Sequence, residues 1–288
     1  MSEIAGAPVL ASGDGRYWAR EEKKSTMRFV RFLHLGKIYY GILAGEQVQP
    51  LAGPPFSNSP PVGQPLPLAA IKVLAPCEPS KIIALGLNYR DHAAEMRMKL
   101  PDEPLIFLKP STSVIGPEAP IVLPRQSRRV DYEAELAVVI GRVARKVTID
   151  RADDYIWGYT CCNDVTARDL QKKDGQFTRS KSFDTFAPLG PWIETVLPEP
   201  EAVTVEAIVN GERRQFSHIG NLVFGLATLV SFISHIMTLL PGDVIATGTP
   251  SGVGPLHPGD NVEIRLGGIG TLHNPVVTDE DSGDLGPS

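Results

Sequence analysis

Short apolar segments separated by turn residues dominate the pattern of the chain between residues 79 and 277. The segments with the composition of strands are KIIALGLN, LIFLKP, ELAVVIGRVARKV, YIWGYTCCNDV, VTVEAIVNGE, DVIATG and NVEIRLGGIGTL. Gly, Pro and Asn-Gly turns lie between them, which is typical of a β-dominated fold and not of a doubly wound one. A single long helix is predicted in residues 221–243, where apolar residues recur every three or four positions until Pro241 and Gly242 end the pattern.

Composition divides the chain into four parts. Residues 1–26 are polar and are predicted to be a disordered extension. Residues 27–76 open with MRFVRFLHLGKIYYGIL, which predicts a β-hairpin, and continue into a proline-rich linker, so they predict a small β-rich N-terminal domain. Residues 79–277 form the predicted main domain. Residues 278–288 are acidic and are predicted to be a loose tail.

Charge, hydropathy and cysteine content argue against several classes of protein. The chain has 33 acidic and 28 basic residues, a net charge of -5 and no block of Lys and Arg, which argues against nucleic acid. The most apolar run, residues 224–240, is interrupted by polar side chains and is shorter than a typical membrane span. Three cysteines, including the adjacent Cys161 and Cys162, match neither a disulfide framework nor a CxxC motif. With no secretion signal visible, we expect a cytoplasmic protein.

The segment DYEAELAVVIG, residues 131–141, joins an acidic start to an apolar continuation. On a strand, Asp131, Glu133 and Glu135 share one face, so their carboxylates crowd together. They either form an exposed acidic face, which is the commoner case, or are neutralised by a cation in a buried site. The apolar continuation takes the strand into the core, which favours the cation. Oxygen ligands suit Mg²⁺, Mn²⁺ or Ca²⁺ better than zinc.

A further carboxylate, Asp164, follows an apolar strand in GYTCCNDVTARDLQ. Arg168 and Gln171 follow at spacings of four and three, so on a helix the three side chains would share one face. That face could present a metal ligand and substrate contacts together. The alternative is that Asp164 is only a helix cap.

Candidate groups for proton transfer and anion binding lie in three other motifs. In GLNYRDHAAEM, Glu95 is three positions after His92 and could orient the imidazole as a general base, unless the pair is an incidental surface contact. Lys181 could meet a substrate carboxylate or an oxyanion, or be a solvated surface lysine. The turn ATGTPSGVGP could bring backbone N–H groups and the Thr249 hydroxyl to an anion, but it lacks the ending of a P-loop.

In order and spacing these motifs resemble the fumarylacetoacetate hydrolase family, in its small prokaryotic branch, over residues 79–276. The resemblance is carried by GLNYRDHAAEM, FLKPSTSVIGP, VDYEAELAVVIG, NDVTARDLQ, KSFDTFAPLGPW and MTLLPGDVIATGTPSGVG. It implies an α+β, β-dominated fold, a mixed β-sandwich roll, with the N-terminal β-rich domain beside it. It also implies a divalent cation, Mg²⁺ or Mn²⁺ with Ca²⁺ as a substitute, and a homodimer.

The resemblance also implies a role for each matching residue. The implied metal ligands are Glu133, Glu135 and Asp164, and the implied base is His92 with Glu95 on a mobile lid. The implied catalytic groups that stabilise an oxyanion are Lys181 and Gln171, and the implied substrate-binding residues are Arg168, Gly248 and Thr249.

Several functions are compatible with the resemblance. The first is hydrolysis of a C–C bond in an acylpyruvate-type 2,4-dioxo acid through an enolate that the cation stabilises, which the pair His92 and Glu95 favours. The second is isomerisation or decarboxylation of a 2-oxo dicarboxylate, of the 2-hydroxyhepta-2,4-diene-1,7-dioate isomerase or oxaloacetate decarboxylase type. The third is a non-catalytic protein that binds a structural ion. The contact with the distal group of a substrate depends on the lid residues Arg90, Arg97 and Lys99.

Overall fold

A computed structural model describes residues 26–57, 59–95 and 97–281. Residues 1–25 and 282–288, and with them nearly all of the predicted extension and most of the predicted tail, lie outside the described residues. The strands are, in chain order, β1 (Arg28–His34), β2 (Lys37–Ala44), β3 (Gln47–Leu51), β4 (Leu66–Pro67), β5 (Lys72–Leu74), β6 (Ile82–Gly86), β7 (Leu105–Lys109), β8 (Val114–Ile115), β9 (Ile121–Leu123), β10 (Val130–Tyr132), β11 (Ala134–Ile140), β12 (Ile156–Asn163), β13 (Thr166–Ala167), β14 (Ala187–Glu194), β15 (Thr204–Val209), β16 (Glu212–His218), β17 (Val244–Ala246), β18 (Gly254–Pro255), β19 (Asn261–Leu266) and β20 (Gly270–Thr278).

The helices are fewer and shorter than the strands. The α-helices are α1 (Arg90–Glu95), α2 (Arg168–Asp174), α3 (Thr178–Lys181) and α4 (Leu226–Ile236). Short 3-10 helices span Pro55–Ser57, Leu68–Ala70, Ser111–Ser113, Ile149–Tyr155, Pro200–Ala202 and Ile219–Asn221. No helix of the described residues is long and apolar enough to cross a membrane.

The largest sheet joins the N-terminal strands to the main domain. Its hydrogen-bonded order is β4-β3-β2-β1-β14-β12-β11-β17-β6-β7, with β5 beside β1 and β8 beside β14. The predicted hairpin is formed by β1 and β2, and β1 continues onto β14 with Phe29 opposite Ile193. The proline-rich segment, predicted as a linker, supplies β4 and the end of β3 at the edge of this sheet.

A second sheet packs on the largest one and completes a sandwich. Five strands form it in the order β16-β15-β19-β20-β9, and three short strands form a third sheet in the order β13-β10-β18. One apolar core contains Leu136 of β11 and Cys161 of β12 together with Val205, Ile264 and Leu272 of the five-stranded sheet. The predicted fold class, a β-dominated mixed sandwich, is confirmed.

Helix α4 packs on the same face of the largest sheet as the five-stranded sheet does. Side chains two apart on a strand point the same way, so Val138 and Ile140 of β11 share a face with Leu136, and they form a core with Leu229 and Ile233 of α4. The helix is shorter than the apolar periodicity predicted. It begins after Gly225 and ends at Ile236, and the buried Leu239 beyond it forms an isolated β-bridge with Ala144.

Candidate active site

The acidic segment predicted as one strand is two strands joined at Glu133. Here the chain leaves the three-stranded sheet as β10 and enters the largest sheet as β11. At the junction, the N–H of Glu133 donates to Asn163 Oδ1 at 2.9 Å, and its carbonyl accepts from the N–H of Asp164 at 2.9 Å. The second hydrogen bond places Asp164 beside Glu133.

Glu133, Glu135 and Asp164 form a buried carboxylate cluster. One carboxylate oxygen of each lies within 4.8 Å of one oxygen of each of the others, and none of the three residues is more than 5% exposed. Asp131 has other partners, since its carboxylate accepts from Arg168 Nε at 2.9 Å and from a second arginine. The crowding that alternation predicted therefore involves Asp164 in place of Asp131.

In each carboxylate of the cluster, one oxygen accepts a hydrogen bond from a protein donor. That donor contacts no other carboxylate of the cluster. These contacts are Arg168 Nη2 with Glu133 Oε1, the N–H of Gly248 with Glu135 Oε2 at 2.8 Å, and Lys109 Nζ with Asp164 Oδ1 at 2.5 Å. One oxygen of each carboxylate is thereby fixed, which leaves Glu133 Oε2, Glu135 Oε1 and Asp164 Oδ2 without these donors.

The partners of the three remaining oxygens show whether a cation fits the cluster. Lys181 Nζ donates to Glu133 Oε2 at 2.8 Å and to Asp164 Oδ2 at 2.6 Å. Glu135 Oε1 is buried and has no hydrogen-bond partner among the described residues. A buried carboxylate oxygen without a donor is costly, and three carboxylates are a ligand set for a hard ion. The residues present therefore fit a divalent cation.

Burial and neighbouring charges perturb the protonation of the cluster in opposite directions. Burial, followed by the charges of Asp164 and Glu133, raises the pKa of Glu135 well above its ordinary value. Burial acts the same way on Glu133, but Lys181 and Arg168 outweigh it and lower the pKa of Glu133. Burial disfavours the charge on Lys181, yet Asp164 and Glu133 raise its pKa above the ordinary value. The cluster is thus a site that attracts positive charge.

Lys109 is a site residue that the sequence analysis did not single out. It ends β7, is fully buried and also donates to the carbonyl of Val165 at 3.3 Å. Burial lowers the pKa of Lys109, and its ion pair with Asp164 opposes this shift only in part. The available signal was a lysine at the end of the apolar segment LIFLKP, because a lysine buried there needs a carboxylate.

The glycine-rich turn after β17 lies against the cluster. Gly248 has a φ of +100°, and a Cβ there would lie 2.8 Å from a neighbouring side chain, so glycine is required. Thr249 Oγ1 donates to the carbonyl of Ala134 at 2.9 Å and accepts from Gln215 Nε2 at 2.9 Å. The turn was predicted to meet an anion, and the anion that the N–H of Gly248 meets is the carboxylate of Glu135.

The predicted dyad of His92 and Glu95 lies on α1. His92 Nδ1 is 3.2 Å from Glu95 Oε2, and the Glu95 carboxylate accepts from the N–H of Gly252 at 3.2 and 3.3 Å. The side chain of Glu95 is 42% exposed and that of His92 is 13% exposed. Because Gly248 and Gly252 belong to one turn, the dyad and the carboxylate cluster are attached to the same segment.

Arg168 and Gln171 share a face of α2, as their spacing predicted. Arg168 Nη1 donates to Gln171 Oε1 at 2.8 Å, while its other nitrogens meet Asp131 and Glu133. Asp164 is not on this helix, because β13 intervenes and α2 begins at Arg168. The guanidinium group therefore connects the cluster to Gln171.

The three predicted lid residues have different surroundings. Arg90 Nη1 donates to the carbonyl of Leu222 at 2.7 Å. Lys99 is highly exposed and lies 3.5 Å from Asp102, and Arg97 has a φ of +52° just after α1. A contact of these residues with a substrate stays a prediction.

Two family descriptions match the chain. Residues 81–277 match "Fumarylacetoacetate (FAA) hydrolase C-terminal", and residues 27–76 match "Rv2993c-like, N-terminal".

The names of several similar proteins state an activity. The solved 5-carboxymethyl-2-hydroxymuconate delta-isomerase from Mycobacterium smegmatis is 47% identical and covers 88% of this chain and 100% of its own, with a TM-score of 0.83. Oxaloacetate tautomerase fahd2, mitochondrial, from Xenopus laevis is 43% identical over 72% of this chain and 69% of its own. The solved maleylpyruvate hydrolase from Sphingobium sp. SYK-6, in complex with manganese (II) ion and pyruvate, is 31% identical and covers 88% of this chain and 99% of its own, with a TM-score of 0.73.

Proposed function

The chain belongs to the fumarylacetoacetate hydrolase family, and we propose that it is a divalent-metal-dependent enzyme that moves a proton on the carbon next to the oxo group of a 2-oxo acid. It would interconvert oxo and enol forms or shift a double bond. The observation that carries this proposal is the attachment of the carboxylate cluster and the His92–Glu95 dyad to one turn, through Gly248 and Gly252. The isomerase at 47% identity and the tautomerase at 43% support it.

The cluster is the proposed metal site. Glu133, Glu135 and Asp164 would hold Mg²⁺ or Mn²⁺, with Ca²⁺ as a substitute, through the carboxylate oxygens that Arg168, Gly248 and Lys109 do not bond. A divalent cation supplies a Lewis acid that binds the keto and carboxylate oxygens of a 2-oxo acid and lowers the energy of its enolate. The hydrolase that was solved with manganese and pyruvate supports this choice of ion.

His92 is the proposed base. The Glu95 carboxylate is an acceptor, so His92 donates to it from Nδ1, which leaves the lone pair on Nε2 to take the proton of the substrate. Gly252 holds Glu95 in turn, so the imidazole is oriented by a chain of two contacts. A base placed in this way contributes about 10²–10⁴-fold to the rate.

Cationic and polar side chains around the cluster are the proposed substrate contacts. Lys181 and Gln171 would stabilise negative charge that develops on an oxygen of the substrate, since donors fixed in a buried site act strongly there. Arg168, Gly248 and Thr249 would bind the substrate from the same side. Their present partners lie within the protein, so these roles stay proposals.

Hydrolysis of a C–C bond is the second candidate function. The same dyad could deprotonate a water molecule that attacks the distal carbonyl of an acylpyruvate, and the relative named maleylpyruvate hydrolase supports this reaction. Decarboxylation of a 2-oxo dicarboxylate would need no attacking water. A protein with a structural ion alone would have no use for the hydrogen-bonded dyad beside it.

A panel of 2-oxo acids, assayed with Mg²⁺ and with Mn²⁺, tests these functions. The enol of oxaloacetate, acylpyruvates and 2-hydroxyhepta-2,4-diene-1,7-dioate are the substrates to compare. Loss of enol absorbance without pyruvate supports proton transfer, pyruvate together with a second acid indicates hydrolysis, and pyruvate with CO₂ indicates decarboxylation. We expect EDTA to abolish activity and either ion to restore it. No turnover on any member would favour the structural-ion alternative.

A homodimer is part of the same proposal, because it follows from the family resemblance alone. Light scattering on the purified protein is expected to give twice the mass of the chain, and a monomer would remove this part of the proposal.

A further inference from the structure

Strand β16 places two buried polar side chains on one face. Gln215 and Ser217 are 1% and 3% exposed, whereas Phe216 between them is 45% exposed, as alternation along a strand requires. Neither polar residue lies in a motif from which a site was predicted. Buried polar groups need partners, and the partners of these two lie in the two halves of the candidate site.

Gln215 bonds the strand that carries the two glutamates of the cluster. Its Oε1 accepts from the N–H of Ala134, the residue between those glutamates, at 2.9 Å. Its Nε2 donates to Thr249 Oγ1 at 2.9 Å and to the carbonyl of Pro250 at 2.8 Å. Thr249 Oγ1 donates in turn to the carbonyl of Ala134. One buried amide therefore fixes the glycine-rich turn to the start of β11.

The turn that Gln215 fixes serves both halves of the site. The N–H of Gly248 bonds Glu135, and the N–H of Gly252 bonds Glu95. Gly252 lies so close to β16 that a Cβ there would be 2.3 Å from a backbone oxygen of that strand. A change in the distance between this turn and β16 would therefore move Glu135 and Glu95 together.

Ser217 bonds the helix that carries the dyad. Its Oγ donates to Asp91 Oδ2 at 2.7 Å, and Asp91 Oδ1 accepts from the N–H of His92 at 2.8 Å. Asn221 Nδ2 donates to the same Oγ at 3.0 Å, so the single hydroxyl hydrogen of Ser217 is directed to Asp91. The start of α1 is thus held by β16.

We propose that Gln215 and Ser217 are positioning residues that fix the distance between the carboxylate cluster and the His92–Glu95 dyad. Two residues apart on a strand, they are separated by about 6.5 Å of stiff backbone, which serves as the common reference for both halves. This inference rests on the proposed function, because the distance matters only if the two halves act on one substrate. In that case a misplacement of about 1 Å can cost on the order of 100-fold in rate.

The metal arm of the test uses Gln215→Met, which keeps the size of the side chain and removes its hydrogen bonds. The Mn²⁺ affinity of the metal-stripped protein is measured by calorimetry. We expect it to fall by about 10-fold, the low end of the loss that follows removal of a direct partner of a metal ligand, because Gln215 acts on the ligands through Ala134 and Thr249. The matched control is Phe216→Thr, whose side chain points away from the site on the same strand, and it should bind Mn²⁺ like the parent.

The base arm uses Ser217→Ala with Ser217→Thr as the conservative variant. Loss of the hydroxyl should speed amide hydrogen exchange over residues 90–95 and lower kcat more than it changes KM, while Mn²⁺ affinity stays at the value of the parent. Ser217→Thr keeps a hydroxyl and should restore both the exchange rate and kcat.

Unchanged Mn²⁺ affinity in a folded Gln215→Met protein overturns the proposal, as does unchanged exchange in Ser217→Ala. If Gln215→Met fails to fold, Thr249→Val replaces it, because it removes the hydroxyl between Gln215 and Ala134 and should weaken Mn²⁺ binding in the same way. Affinity and exchange need no turnover. A parent without activity on any 2-oxo acid would therefore overturn the proposed function and leave this test standing.

Discussion

The carboxylate cluster and helix α1 are built in opposite ways. The cluster is at most 5% exposed, and its oxygens are bonded by side chains and backbone from distant parts of the chain. Helix α1 has six residues, its dyad is a local i,i+3 pair, and Glu95 is 42% exposed. Elements with few buried contacts open at lower cost than buried ones, so the proposed cation site belongs to the buried sheet while the proposed base is carried on a short and more exposed helix.

This contrast suits the proposed chemistry. A cation site needs ligands held at fixed positions, since charged groups in a buried site must be compensated at all times. A base over such a site must let the substrate enter and then approach it, which a short helix anchored at a few points allows. The anchors, Asp91 on Ser217 and Glu95 on Gly252, are exchangeable hydrogen bonds.

The largest effect is expected from Asp164→Asn, which breaks the carboxylate cluster. Mn²⁺ binding and turnover should fall to background, and the metal-free protein should lose about 3–5 kcal/mol of its free energy of unfolding because Lys109 loses its buried counter-charge. Calorimetry and urea unfolding measure these changes. Asp174→Asn is the control, since Asp174 pairs with Arg179 on the surface, where an ion pair contributes little to stability. Wild-type Mn²⁺ affinity in Asp164→Asn would contradict its role as a ligand.

Next in size is His92→Ala, which affects only the dyad. Turnover should fall by about 10²–10⁴-fold because the base is lost. Mn²⁺ affinity and the melting temperature should stay unchanged because, among the described residues, His92 makes its hydrogen bonds with Asp91 and Glu95 and not with the cluster. His235→Ala on α4 is the control and should keep full activity, since the hydrogen bond of His235 within the described part of the chain is with the Ser231 carbonyl of its own helix. A parallel loss of Mn²⁺ affinity in His92→Ala would show that the two halves are not separable.

A smaller effect is expected from Gly252→Ala, which disturbs the segment between the halves. Gly252 and Gly259 have similar backbones, with φ of +93° and +89°, but only at Gly252 would a Cβ meet a backbone oxygen at 2.3 Å. Gly252→Ala should therefore lose about 1–3 kcal/mol more stability than Gly259→Ala, and its kcat should fall because Glu95 loses its donor. Urea unfolding and steady-state kinetics compare the two variants. Equal losses in both would show that backbone strain alone is responsible.

The smallest effect concerns pH and the support of α2, the helix that carries Arg168. Partial burial raises the pKa of Asp169, but donors from Arg128, Ser127 and Leu170 outweigh it and hold the pKa below the ordinary 3.8. A lowered acid pKa stabilises the fold above the unfolded value, and this contribution is lost as pH falls through the folded value. Asp169→Asn should cost about 1 kcal/mol at neutral pH.

The pH dependence of that difference is the measurement. Urea unfolding of both proteins from pH 7 downward should give curves that converge as the pH falls below 3.8, where Asp169 of the parent becomes protonated. Mn²⁺ affinity should stay near the wild-type value. A constant gap at every pH would show that the charge of Asp169 plays no part.

Much of the fold could be predicted from local patterns. The strands β6, β7, β11, β12, β15, β17 and β19 lie within the apolar segments that were singled out, and the hairpin of β1 and β2 was predicted from its composition. Strand β14 was missed, although it lies between β1 and β12 in the largest sheet. Pro188, Gly190 and Pro191 interrupt its pattern, and proline argues against a strand inside a sheet because it cannot donate to the ladder.

In the candidate site, too, the features that depend on local spacing could be predicted and the others could not. The i,i+3 spacing of His92 and Glu95 and the alternation of Glu133 and Glu135 are local properties, and the structure keeps both. Local alternation also grouped Asp131 with the two glutamates, and this was wrong because the strand breaks at Glu133. The spacing in NDVTARDLQ left Asp164 as either a ligand or a helix cap, and the resemblance to a family favoured the ligand.

Composition, periodicity and short spacings already fixed the β-rich class, the acidic strand and the helical dyad, because each depends on residues only a few positions apart. Which lysine pairs with Asp164, and which amide side chain bonds the strand of the two glutamates, depended on the fold. Lys109 meets Asp164 across 55 positions and Gln215 meets Ala134 across 81. Such partners are chosen by the register and packing of sheets, which bring distant backbones together, and no local pattern encodes that geometry.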